Sequence, residues 1–180
     1  MRSLIRSWLQ APDDEGGENQ RALRDLLDAL DRQEPERAKY LARFAYLLGR
    51  IAHADQHISP EETQVMEQLL EREGGLPREQ AMLVVGLAKT SNLLFGGTDN
   101  FLVAREFADA ATHEHKLSLL RCLFAVSAVE GNISIAEERE VQRIARELRV
   151  EHADVVKLRL EYRHQLPGLT NRANDESSMS

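Results

Sequence analysis

Two segments of this chain, 75 positions apart, carry nearly the same pattern of residues. ADQHISPEE begins at Ala54, and VEGNISIAEE begins at Val129. Each segment follows an apolar run with helical spacing and opens with an acid, and each then places an isoleucine, a serine and a glutamate. The equivalent pairs are Asp55 and Glu130, Ile58 and Ile133, Ser59 and Ser134, and Glu62 and Glu137. This repeat of a helix, an acid turn and a helix predicts a fold with two related halves.

The composition favours helices throughout the chain. Leu, Ala, Glu and Arg are abundant, and aromatic residues make up only 5% of the sequence. A chain of 180 residues can bury a core without disulfides. The single cysteine, Cys122, lies in the apolar run LLRCLFAV and is expected to be a buried thiol. We therefore predict an all-α fold, a compact multi-helix bundle built from two pseudo-repeats.

The apolar spacing divides the chain into three predicted regions. Residues 1–17 are predicted to be a short helix and a linker, and residues 167–180 are predicted to be a disordered tail. Between them, residues 18–166 are predicted to form the helical domain, with repeats over about 39–73 and 115–149. The helix after the second acid turn is expected to start after Ser134 and to bury Val141, Ile144, Ala145 and Leu148.

The charge and hydropathy exclude several classes of partner. A net charge of −7 argues against binding to nucleic acid, which requires a basic surface. No apolar stretch approaches the roughly 20 residues that span a bilayer, and the first ten residues do not have the pattern of a signal peptide. We expect a cytoplasmic protein. Apolar residues within 1–10 share one helical side and could contact a membrane surface, but two turns of helix favour docking on the protein itself.

Both repeats contain a capping box. In Ser59-x-x-Glu62 and Ser134-x-x-Glu137, the serine and the glutamate are expected to bond the free N–H groups at the start of a helix. Caps of this kind stabilise a protein by about 1 kcal/mol without any further role. They account for the serines and the glutamates of the repeats.

The caps do not account for Asp55 and Glu130, which sit where the preceding helix ends. That terminus carries partial negative charge and disfavours an acid, so a positive charge is expected nearby. One candidate is a calcium or magnesium ion, and the other is an Arg or Lys side chain. Calcium takes six to eight oxygen ligands, so the two turns would have to converge. An EF-hand is excluded because Met66 occupies the twelfth position counted from Asp55, where a glutamate is required.

The two segments AHADQHISPEE and SAVEGNISIAEE resemble the paired A-D-G-x-I-x-x-x-E signatures of the TerB-like family, which is named for tellurite resistance. The resemblance covers roughly Lys39 to His152. It implies an all-helical bundle with two pseudo-repeats, a divalent-metal site near the acid turns, and a bacterial role in resistance or stress signalling. By position, the metal ligands that it implies are Asp55, Glu62, Glu130 and Glu137. The chain departs from the signatures at Gln56, which replaces a glycine, and at Glu130, which replaces an aspartate.

The sequence offers little support for catalysis. It has no glycine-rich phosphate loop followed by lysine, no G-x-S-x-G elbow and no HExxH pattern. The four histidines near the repeats are expected to be exposed to solvent; they are His53, His57, His113 and His115. We therefore predict a noncatalytic stress-response or interaction domain with protein partners and with a divalent ion bound near Asp55 and Glu130. The alternative is a metal-free structural scaffold that binds proteins through an exposed helix face.

Overall fold

The structure is a computed structural model that describes residues 18–52, 60–90, 100–129 and 132–164. Within those ranges it contains helices and no strand, which confirms the all-α prediction. The helices, in chain order, are α1 (Glu18–Asp31), α2 (Pro35–Ala52), α3 (Pro60–Arg72), α4 (Arg78–Lys89), α5 (Asn100–Ala110), α6 (His113–Ser127), α7 (Ile135–Glu147) and α8 (His152–Glu161).

Several of the predictions concern residues outside the described ranges. The predicted N-terminal segment 1–17 and the predicted tail 167–180 both lie there. The first acid turn, which includes Asp55, Ile58 and Ser59, also lies outside them, as does Glu130. The statements about these residues stay predictions.

The bounds of four helices follow the 75-residue offset of the sequence. α2 ends at Ala52 and α6 ends 75 positions later at Ser127. α3 spans Pro60–Arg72 and α7 spans Ile135–Glu147, so both the starts and the ends of these helices differ by the same 75 positions. The two acid segments therefore connect helices that are matched in the two halves.

Helix α2 lies at the centre of the packing and contacts α1, α4, α5, α6 and α7. Its buried face includes Leu41, Phe44 and Leu48, none of which is exposed to solvent. The halves also exchange contacts, because α2 of the first half packs on α7 of the second, and α3 packs on α6. One continuous core joins these helices.

The apolar spacing predicts the buried face of α7 correctly. Val141, Ile144 and Ala145 are buried within the helix, and Leu148 is buried at its C-cap. Cys122 is fully buried in α6, which confirms the prediction of a buried thiol. The apolar residues of α8 have two environments. Val155 and Leu158 are buried, whereas Val156 and Leu160 are exposed.

Left-handed residues end the two matched helices α3 and α7. Gly75 has a φ of +62° after α3, where the chain turns toward α4. Arg149 has a φ of +56° after α7, and it is the only non-glycine residue of the described chain with positive φ. Glycine adopts this conformation without a steric cost, whereas arginine does not. Among the described helices, none combines the length and the apolar character that a membrane crossing needs.

Candidate functional site

Two of the four predicted metal ligands lie in the described part of the chain. Glu62 is in the first turn of α3 and Glu137 is in the first turn of α7, and both are half-buried. The other two predicted ligands, Asp55 and Glu130, are outside the described residues. Glu62 and Glu137 occupy equivalent places, each two residues after the first residue of its helix.

The capping box predicted in the second repeat is present. Ser134 is the N-cap of α7, and its Oγ accepts a hydrogen bond of 3.2 Å from the backbone N–H of Glu137. In return, Oε2 of Glu137 accepts a bond of 2.7 Å from the backbone N–H of Ser134. Ile133, just before the cap, is 1% exposed and belongs to the core. The cap occupies one oxygen of Glu137 and leaves Oε1 without a hydrogen bond among the described residues.

A network of four charged residues joins α2 to α7; its members are Arg50, Glu140, Arg143 and Glu147. Arg50, in the last turn of α2, donates from Nε to Oε1 of Glu140 over 2.7 Å. Its Nη1 donates to Oε2 of Glu147 over 2.5 Å. The Arg50 side chain is only 7% exposed, and those of Glu140 and Glu147 are 21% and 15% exposed. The network therefore joins the last turn of α2 to the middle and the end of α7. Water has little access to the Arg50 contacts.

The electrostatics of Arg50 reflect this placement. Burial on its own would lower the pKa of the guanidinium, but the hydrogen bonds and negative charges of Glu147 and Glu140 outweigh burial and raise its pKa above the ordinary value. Arg50 is thus a fixed cation five positions before Asp55. Because they pair with Arg50, Glu140 and Glu147 are already neutralised and are poor candidates for metal ligands.

The two ends of α2 contact different helices of the second half. At the start of α2, the Tyr40 ring lies 5.0 Å from the ring of His115 at the start of α6. At the end of α2, Arg50 lies against α7. The first acid turn follows α2, and the second precedes α7. Tyr40 and His115 thus lie at the ends of α2 and α6 that are opposite to the acid turns, and the two acids that Arg50 contacts lie five and twelve residues past the start of α7.

One buried hydroxyl next to the second acid turn lacks a partner. Ser127, the last residue of α6, is 3% exposed, and its Oγ makes no hydrogen bond in the described structure. Buried hydroxyls are usually paired, because an unpaired one loses its bonds to water without replacement. Its equivalent in the first half is Ala52, so the hydroxyl is not required by the shared helix end.

The adjacent acids Glu137 and Glu138 both accept hydrogen bonds. Glu138 is 8% exposed, and its Oε1 accepts hydrogen bonds from Nε of Arg159 at 2.5 Å and from Gln142 at 3.3 Å. Glu137 is held in the cap described above. The sequence did not predict the bond to Arg159, which comes from another helix.

The histidines have different surroundings. His113 is exposed, as predicted, and its Nε2 lies 3.3 Å from Oδ2 of Asp154. His115 is half-buried against Tyr40, so the prediction of a solvent-exposed side chain is wrong for this residue. His53 and His57 are outside the described ranges. Within those ranges, no group of three or more His, Cys, Asp or Glu side chains is arranged to hold a metal ion.

Comparison with known proteins gives one family. The model of the family described as tellurite resistance protein TerB matches residues 41–160, which is two thirds of the chain and includes both acid segments. No curated protein and no solved structure matches the chain.

Proposed function

Because this chain belongs to the TerB family of tellurite resistance proteins, we propose that it is a noncatalytic, resistance-related helical domain that binds a divalent cation between its two acid turns. The proposed ligands are the carboxylates of Asp55, Glu62, Glu130 and Glu137. Calcium and magnesium are the proposed ions, because both prefer oxygen ligands.

The observation that carries this proposal is the Oε1 atom of Glu137, which accepts no hydrogen bond from the described residues and lies in the first turn of the helix that follows the second acid turn. Arg50 holds the last turn of α2, which precedes the first acid turn, against the middle and the end of α7 through its bonds to Glu140 and Glu147. One turn supplies too few oxygens for calcium, so a site needs the two turns to be held near each other. We therefore propose that the two turns converge on one ion.

In the second repeat, the two oxygens of one carboxylate can serve the helix cap and the ion separately. Glu137 uses Oε2 for the cap, and its Oε1 is available to a cation. A carboxylate can accept a hydrogen bond at one oxygen and coordinate through the other, since it has about four lone-pair sites. The backbone bond also fixes the direction of the carboxylate, which favours coordination.

The noncatalytic part of the proposal rests on the state of the reactive side chains. Burial raises the pKa of the Cys122 thiol to about 12, and the charge of Glu73 adds to that rise, so the nucleophilic thiolate is scarce at neutral pH. The charge of Arg121 opposes these effects but does not overcome them. Glu138 is paired with Arg159 and is not placed to transfer a proton.

Calorimetric titration of the purified protein with calcium and with magnesium tests the proposal. We expect saturable binding of one of these ions, and we expect Asp55→Asn combined with Glu130→Gln to weaken it by at least tenfold, about 1.4 kcal/mol. The matched control is Glu79→Gln combined with Glu151→Gln, which removes the same charge from exposed positions at the starts of α4 and α8.

The control separates a ligand role from a general effect of charge. If it weakens binding as much as the substitutions in the acid turns do, the ion is held only by the overall negative charge. If the unmodified protein binds neither ion, the metal-free scaffold is the better description of this domain.

A further inference from the structure

A cleft of about 250 Å³ opens on the side of the bundle where α2 and α6 begin and α5 ends. Its walls include the rings of Tyr40, Phe107 and His115 and the guanidinium groups of Arg37 and Arg43. Pockets for drug-sized molecules begin at roughly 300 Å³, so this cleft suits a smaller compound. The residues that line the cleft belong to neither acid turn.

The rings form a continuous aromatic wall. Tyr40 is stacked on Phe107 with their centroids 5.4 Å apart, and the His115 ring is 5.0 Å from that of Tyr40. Phe107 is anchored in the core, where it is 1% exposed. Two small residues beside it, Ala110 and Ala111, also line the cleft. A planar apolar group would have an apolar surface to pack against here.

Arg37 is held in a fixed position at this wall. Its Nε donates to Oε1 of Gln80 over 3.0 Å, and its Nη2 donates to the same oxygen. Gln80 is fixed in turn by a bond of 3.1 Å to Gln33. The guanidinium carbon lies 4.9 Å from the centre of the Tyr40 ring, which is a cation–π contact. The two N–H groups on Nη1 have no partner in the described chain.

The charges around the cleft leave Arg37 without a paired carboxylate. Arg43 forms an ion pair of 3.0 Å with Glu106, and Glu36 forms one of 2.7 Å with Lys39. Glu34 has its Oε2 bonded to the backbone N–H of Arg37 at the start of α2. No described carboxylate lies within ion-pair distance of the Arg37 guanidinium.

The Tyr40 hydroxyl is a second unused donor at the same wall. The hydroxyl makes no hydrogen bond within the described ranges. Its oxygen keeps some exposure to solvent, because the only fully buried polar side-chain atom there without a partner is Ser127 Oγ. Burial of the ring raises the pKa of Tyr40 to about 12, so the hydroxyl keeps its proton and can donate it.

We infer that this cleft is a binding site for a small aromatic carboxylate. The ring of the ligand packs against Tyr40, Ala111 and His115, in front of the buried Phe107, and its carboxylate accepts hydrogen bonds from Nη1 of Arg37 and from the Tyr40 hydroxyl. Charge-assisted bonds to a preorganised guanidinium are stronger than neutral ones, and the apolar wall selects an aromatic acid over a plain anion.

Titration of the ¹⁵N-labelled full chain with benzoate, followed by two-dimensional NMR, tests this inference. We expect saturable shifts of the amides around Tyr40, Phe107 and His115. Benzamide keeps the ring without the charge, and acetate keeps the charge without the ring. Both should bind at least about tenfold more weakly than benzoate.

Substitutions separate the site from nonspecific binding. Arg37→Gln should weaken benzoate binding by about tenfold or more, and Arg37→Lys should recover only part of it because a lysine lacks the planar fork. Tyr40→Phe, which keeps the ring, should give a smaller loss. Arg78→Gln is the matched control, since Arg78 is exposed on α4 and does not line the cleft.

The NMR spectra also show whether each variant is folded. Equal binding of benzamide and benzoate, unchanged affinity in a folded Arg37→Gln variant, or no shifts at roughly 10 mM benzoate would each overturn the inference. The variant with Asp55→Asn and Glu130→Gln should bind benzoate normally, so failure of the metal proposal would be distinguished from failure of this one.

Discussion

Nη1 of Arg50 lies 2.5 Å from Oε2 of Glu147, although the two residues are 97 positions apart in the sequence. The first belongs to the central helix α2, and the second ends α7 in the other half of the chain. Their side chains are 7% and 15% exposed, so this is one of the few charged contacts that water hardly reaches. It is therefore where a charge substitution should have its largest effect on stability.

We predict that Arg50→Met lowers the free energy of unfolding by about 3 kcal/mol, because Glu147 would then be left partly buried without a countercharge and Glu140 would keep only its pair with Arg143. Urea denaturation followed by circular dichroism measures the change. Arg149→Met is the control; its pair with Asp109 has side chains that are 59% and 55% exposed, and it should cost less than about 1 kcal/mol.

A rescue experiment tests the stated cause. Adding Glu140→Gln and Glu147→Gln to Arg50→Met removes the uncompensated charges and should restore part of the lost stability. If stability does not recover, the loss came from packing around the Arg50 stem and not from charge.

The capping box makes a smaller and separate prediction. Ser134→Ala should lower stability by about 1 kcal/mol, because the N–H of Glu137 loses its acceptor at the start of α7. Thr112→Ala, which removes the cap of α6, should cost a similar amount. Divalent-ion affinity should remain nearly unchanged in the folded Ser134→Ala protein. Complete loss of ion binding in that variant would show that the cap and the ligand site are not separate.

Substitutions at the two left-handed residues should change stability in opposite directions. Gly75→Ala should destabilise the protein by about 1 kcal/mol through backbone strain alone, since an added Cβ would meet nothing within 4 Å. Arg149→Gly should stabilise it by about 0.5 kcal/mol, because it relieves the same strain at the end of α7. Thermal unfolding measures both. Effects of the same sign would contradict the assignment of strain to Arg149.

The buried thiol predicts a dependence of stability on alkaline pH. The pKa of Cys122 is raised from 9.0 to about 12 in the folded protein. Folding therefore favours the protonated form, and this contribution is complete below about pH 9 and is lost as the pH rises toward 12. Tyr40 and Tyr162, with pKa values raised by burial from 10.0 to about 12, act in the same direction.

Unfolding free energies measured at pH 7 and at about pH 10.5 check this dependence. They should be lower at the higher pH, and the decline should be smaller in Cys122→Ala. In the folded wild type, the thiol should also react much more slowly with a disulfide reagent than it does in urea. Fast reaction without urea would show that Cys122 is accessible.

The parts of the fold that are set by nearby residues were predictable from the sequence. Ser134 and Glu137 are three positions apart, so their reciprocal bonds can be recognised in a short motif. The buried stripe of α7 follows from the helical period alone. The equivalent helix starts at Pro60 and Ile135 follow from the repeated motif in the same way, since capping and periodicity are local properties.

The contacts between distant helices were not predictable in this way. The chain has 23 Lys and Arg residues and 30 Asp and Glu residues, so no pattern singles out Arg50 and Glu140 as partners across 90 positions. The seven-residue spacing of Glu140 and Glu147 on one face of α7 is the only local hint of a shared cation. His115 was misjudged because its burial depends on Tyr40 from another helix.

The cross-packing of α2 on α7 and of α3 on α6 means that neither half can cover its own apolar surface. A polypeptide divided between residues 90 and 100 would yield two fragments that are each incomplete. They should aggregate when separate and reassemble when mixed, in the manner of a heterodimer. The covalent connection then serves mainly to keep the complementary fragments at high local concentration.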